Sequence, residues 1–94
     1  MKYEEQYKKF IDVWGEDAQI MMCMEEMSEL TKELCKYFRY KKNTEKVEGI
    51  KENIRQEIAD VLNTTEQMQL IFGEKKVDEQ RNYKINRALK KLEE

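Results

Sequence analysis

The sequence predicts an all-α protein, a four-helix antiparallel bundle that oligomerises. Three observations carry this. Apolar residues recur at three- and four-residue spacing in four successive segments. Proline is absent and glycine occurs three times, which deprives a β-sandwich or a disulfide scaffold of its turns. Hydrophobic residues at 39% beside charged ones at 40% suit helices with one apolar face and argue against disorder. Ninety-four residues make one domain, 1–94, with no room for a second.

The first helix is expected over Tyr3–Trp14, with Tyr7, Phe10, Ile11 and Trp14 on one face. Gly15 closes it and Asp17 is placed to cap the next. That second helix runs from Asp17 to Tyr40 with a stripe of Ile20, Met24 (or Cys23), Met27, Leu34 and Phe38, and Leu30 on its shoulder. Lys41–Glu48 is polar and reads as a connection. A third helix starts near Ile50 and carries Ile54, Ile58, Val61, Thr65, Met68 and Phe72 before Gly73 stops it. The fourth spans Lys75–Leu92, with Val77, Ile85, Ala88, Leu89 and Leu92 apolar. So small a core leaves apolar flanks wet, and a second copy would cover them.

Composition narrows the chemistry. Histidine is absent, which removes His-based acid–base catalysis, zinc–His sites and the Glu-x-x-His di-iron bundle. A net charge of −2 argues against a nucleic-acid partner. Cys23 and Cys35 are too few for a disulfide framework, cannot chelate together from one helix, and read as core fillers of a reducing compartment. With no long apolar run and no signal-peptide core, the expectation is a cytoplasmic chain without a membrane partner.

Two acidic strings stand out, Glu25-Glu26-Met27-Ser28-Glu29 and Glu57-Ile58-Ala59-Asp60. Residues three apart are neighbours on a helix surface. At about 100° per residue, Glu26 lies roughly 100° from Met27, and Glu29 roughly 160° to the same side. On helix three Asp60 lies about 100° from Val61, but Glu57 lies only about 40° away, inside the apolar arc. Glu57 is therefore expected to point at the bundle interior, where an ionised carboxylate needs a partner. Arg55 or Lys51 would supply a local salt bridge. Alternatively, converging acids require a cation, and oxygen ligands without histidine suit magnesium or manganese. Glu45-x-x-Glu48 has the same spacing but no apolar frame, and is assigned to solvent.

With these motifs the chain resembles the MazG-like all-α nucleoside triphosphate pyrophosphohydrolases, which are marked by E-E-x-x-E followed by E-x-x-D. The likeness spans roughly residues 10–92 and includes Trp14-Gly15, Gln19, Glu29-Leu30-Thr31-Lys32, Ala59-Asp60-Val61 and Lys84-x-x-Arg87. It implies a helical bundle assembled as a homodimer or homotetramer. It also implies Mg2+-dependent cleavage of a (deoxy)nucleoside triphosphate into monophosphate and pyrophosphate. By motif, Glu26, Glu29, Glu57 and Asp60 become metal ligands, and Lys84 and Arg87 match basic positions near the triphosphate. Glu25 either orients the attacking water or is simply solvated. Asn63, one turn past Asp60, and Gln19, two turns ahead of Glu26, are candidates for nucleoside contacts. Trp14 and Phe38 are candidates for base stacking, weighed against core packing. Between the motifs Lys41–Lys51 is short and charged, which departs from many members.

Two other readings fit the same residues. A non-catalytic oligomeric bundle would use Met21, Met22, Met24 and Met27 as an adaptable interaction groove, although core packing explains these methionines equally. A phosphoribosyl-ATP pyrophosphatase would share the architecture and the metal chemistry.

Overall fold

The computed structural model describes residues 1–94 and contains four helices and no strands: α1 Glu4–Trp14, α2 Glu16–Tyr40, α3 Thr44–Phe72 and α4 Glu74–Leu92. No helix is long and apolar enough to cross a membrane. Two glycines make the sharp junctions. Gly15 and Gly73 adopt φ of 94° and 110°, which β-carbon sterics disfavour for other residues. Their N–H groups close the preceding helices by donating to the carbonyls of Ile11 and Gln69. Asp17 does not cap α2: the helix has already begun at Glu16, and Gly15 occupies the capping position without a side chain. Glu16 and Asp17 instead face the positive end of the helix dipole.

The connection expected over Lys41–Glu48 shrinks to Lys41–Asn43. Asn43 Oδ1 accepts from the backbone N–H of Glu45 at 3.0 Å and of Lys46 at 3.2 Å. That cap starts α3 six residues earlier than apolar periodicity indicates, because glutamate and lysine propagate a helix without needing to be buried. Glu45 and Glu48 are solvent-exposed, as expected.

α2 and α3 form an antiparallel hairpin, α1 rests on both, and α4 meets α3 alone. The face of α2 turned toward α3 is not the apolar stripe. It is Gln19, Cys23, Glu26, Leu30, Glu33 and Tyr37, all buried or half-buried. Met24, Met27, Leu34 and Phe38 are exposed, Phe38 at 72%. Both sets have heptad spacing and lie roughly 100° apart around the helix, so spacing by itself does not choose between them. On α3 the inner line is Ile50, Ile54, Glu57, Val61, Thr64 and Met68, while Ile58 and Phe72 remain exposed. Leu34 of the exposed stripe lines a cleft with Tyr37 and Ile54 at the edge of the α2–α3 interface. α1 covers the opposite face: Asn63, its contact, is nine residues or roughly 180° around α3 from Ile54.

The interior is polar. Seven side chains are buried, and four of them, Gln19, Glu33, Thr64 and Gln67, are polar, so hydrogen bonds must satisfy what burial takes from water. Gln19 Nε2 donates to Gln67 Oε1 at 2.7 Å and Gln67 Nε2 to the Asn63 carbonyl at 3.0 Å. Tyr7 Oη donates to Asn63 Oδ1 at 2.9 Å. These bonds clasp α1, α2 and α3. Cys23 is buried as a core filler, but Cys35 is exposed because it lies on the outer side of α2.

Gln67→Leu deprives the Gln19 amide of its acceptor and should lower unfolding free energy by about 1–3 kcal/mol. Replacing both glutamines with leucine should recover most of that loss, a comparison that urea titration followed by circular dichroism measures directly.

Candidate metal centre

The inner lines of α2 and α3 carry acid to one place. Glu26 follows Cys23 by three residues and precedes Leu30 by four. Glu57 holds the same relation to Ile54 and Val61. Asp60 is one turn beyond Glu57 on the solvent side. One carboxylate oxygen from each of Glu26, Glu57 and Asp60 lies within 4.8 Å of the others; Glu26 and Glu57 are half-buried and Asp60 is exposed. Oxygens on opposite sides of an octahedral magnesium stand at most about 4.2 Å apart, so the three carboxylates would have to close slightly to share one such ion.

Nothing positive compensates this group. Burial raises the Glu26 carboxyl above its ordinary range; the charges of Asp60 and Glu57, a hydrogen bond with Asp60, and the charge of Glu29 raise it further. Glu57 Oε2 is buried with no hydrogen-bond partner. The cations that could have formed its local salt bridge are used elsewhere: Arg55 pairs with Glu52 at 3.2 Å and Lys51 with Glu48 at 3.4 Å. Three converging acids, one with an orphaned inward oxygen, fit a hard cation bound through oxygen.

The other residues singled out by their sequence motifs fall at varied distances from this centre. Glu29 is exposed at its rim, outside the three-oxygen group yet close enough for its charge to act on Glu26. Glu25 is exposed, roughly 100° around α2 from Glu26. Gln19 is 2% exposed, with Nε2 donating to Gln67 and Oε1 buried without a partner, so its amide clasps helices and is not presented to a nucleoside. Its neighbour on α3, Asn63, has Oδ1 occupied by Tyr7. Lys84 and Arg87 sit on the exposed part of α4, which touches neither α1 nor α2, so one chain does not carry them to the carboxylates. Trp14 is exposed and stacks on Phe10, with 5.2 Å between ring centroids. Phe38 is exposed beneath the Lys41 ammonium.

Some supporting residues stand outside those motifs. Thr64 Oγ1 donates to the Asp60 carbonyl at 3.0 Å, holding the α3 backbone at the site. Glu33 is buried one turn beyond Glu29, paired with Lys36 at 3.3 Å and with its other oxygen unpartnered. Its seven-residue spacing from Glu26 is a signal for it, masked when the methionine stripe is taken as the inner face.

Comparison of the chain with protein-family models, with curated proteins and with solved structures returns no match.

Because folding raises the Glu26 carboxyl, the folded chain retains a proton that the unfolded chain has released. Stability is then lost as pH rises from the ordinary carboxylate range through the raised value. Without divalent cations, Glu26→Gln should be more stable than the parent at pH 7. The difference should vanish once pH falls below the ordinary carboxylate range, as read from denaturant midpoints across pH.

Proposed function

We propose that this chain is a MazG-like, Mg2+-dependent nucleoside triphosphate pyrophosphohydrolase. The observation that carries the reading is Glu57, a carboxylate turned into the helix interface against Glu26 and Asp60 with no cation beside it. A purely structural bundle gains nothing from such repulsion. Glu26, Glu57 and Asp60 would hold the ion, with Glu29 closing on it from the rim by side-chain rotation. Magnesium or manganese bound there supplies the Lewis acidity that polarises phosphate oxygens and acidifies water.

In the proposed reaction, water adds to the α-phosphorus and the bond from that phosphorus to the bridging oxygen breaks. Nucleoside monophosphate and pyrophosphate are the products. No covalent nucleophile and no histidine is required. Glu25, exposed beside the site, is the side chain available to orient the water. Lys84 and Arg87 can serve a triphosphate on these carboxylates only from another copy, since α4 meets α3 alone within a chain.

The same reading includes assembly as a homodimer or homotetramer. Met24, Met27, Leu34, Phe38, Ile58 and Phe72 are all exposed, and Leu34 shares a cleft with Ile54 of α3. A second hairpin laid on that face would complete a four-helix bundle from two chains. The exposed methionines also support the second reading, a non-catalytic bundle that docks a partner helix there.

Pyrophosphate release from a panel of nucleoside and deoxynucleoside triphosphates and phosphoribosyl-ATP, with and without Mg2+, separates these readings. The expected outcome is Mg2+-dependent release that Glu57→Gln reduces by at least about 100-fold while helicity is unchanged. Activity confined to phosphoribosyl-ATP would select that narrower enzyme. Absence of turnover together with absence of metal-induced stabilisation would leave the interaction module. Met27→Glu combined with Phe38→Glu should lower the sedimentation coefficient by removing the association made through this face.

A further inference from the structure

α4 is left bare by the fold. Every residue from Asp78 onward is exposed, including Ile85 at 61%, Leu89 at 53% and Leu92 at 83%. Between Gln80 and Leu92 there are five cations and no acid. Ile85, Ala88, Leu89 and Leu92 fall on one face at three- and four-residue spacing, with Lys84, Arg87 and Lys91 along its edge. Four of the cations, Lys84, Arg87, Lys90 and Lys91, are in no ion pair; only Arg81 has one, with Asp78 at 3.6 Å.

A seat of opposite character lies on the outer side of α3. Two cavities of about 460 and 530 Å³ both include Leu62 and Glu66 in their linings, so they are joined as one trough. Its apolar part is Tyr3, Phe10, Ala59 and Leu62, the last 53% exposed. Its charged part is Glu66, Glu74 and Asp78 with one cation, Arg81, which pairs with Asp78 and leaves Glu66 and Glu74 as the uncompensated acids. From Ala59 to Gln69 the trough runs about 15 Å along α3, enough for the roughly 11 Å between Ile85 and Leu92. The chain's own distal α4 cannot fill it. Glu74 and Asp78 already form one wall, and a straight helix carries Leu92 about 21 Å beyond Asp78.

We propose that the trough receives the distal half of α4 from a second copy of this chain. Ile85, Leu89 and Leu92 seat against Leu62 and its aromatic neighbours, and the flanking cations face Glu66, Glu74 and Asp78. A two-fold arrangement lets each chain give one helix and receive one. This exchange does not depend on the catalytic reading.

The test uses full-length chains, one isotopically labelled and one not, mixed equally and treated with a zero-length carbodiimide coupler. Mass spectrometry then identifies mixed-isotope adducts. The expected adducts join Lys84, Lys90 or Lys91 of one chain to Glu66, Glu74 or Asp78 of the other. Leu89→Asp on the arm, or Leu62→Asp in the trough, should reduce them about tenfold with helicity unchanged. Both positions are solvent-exposed in a single chain, so folding does not depend on either. The proposal is overturned if those lysines couple only within one chain or only to α2 carboxylates, or if both substitutions leave the mixed adducts undiminished.

Discussion

Repulsion among Glu26, Glu57 and Asp60 is the constraint around which the hairpin is arranged. Two long helices meet along lines that include Gln19, Glu26 and Glu33 on one side and Glu57 and Thr64 on the other. Such an interface cannot be held by apolar burial alone. It is held by the hydrogen bond from Gln19 to Gln67 at one end, where Tyr7 of α1 also ties α1 to Asn63, and by the Asn43-capped junction at the other. Between these lies the acidic group, which lacks any positive partner. A divalent cation would turn the least favourable part of the interface into a cross-link between the helices.

The distribution of apolar surface follows from the same arrangement. Turning the polar line of α2 inward leaves its methionine-rich line outside, and the equivalent line of α3 is only partly covered. One chain thus has an interior of mixed polar and apolar side chains and an apolar exterior face. Two such faces joined would bury the apolar surface that one chain leaves exposed. α4 repeats the pattern on a smaller scale, with an apolar edge and a run of cations of which only Arg81 is paired within its own chain.

Much of this is legible in the residues. The helix ends at Gly15 and Gly73 follow from a residue type suited to positive φ at the end of a periodic run. Glu57 can be aimed inward from the angular offset to Val61, because the inner line of α3 is largely apolar. The approach of Glu26 and Asp60 to it follows once the helices are paired. The inner face of α2 is not legible, for a specific reason. Two heptad lines coexist there, and hydrophobicity favours Met24, Met27 and Phe38 over Gln19, Glu26 and Glu33 when only one chain is considered. Asn43 does not stand out as a cap because a charged, non-periodic segment follows it.

Local chemistry in the sequence determined four helices, two glycine junctions and the placement of acids three residues apart, since each depends on neighbours within about two turns. Only the tertiary structure decided which line of α2 meets α3, that Gln19 is a clasp, and that Lys84 and Arg87 stand apart from the carboxylates. Those outcomes depend on long-range competition between hydrogen bonding inside the hairpin and apolar burial against surfaces that one chain does not contain.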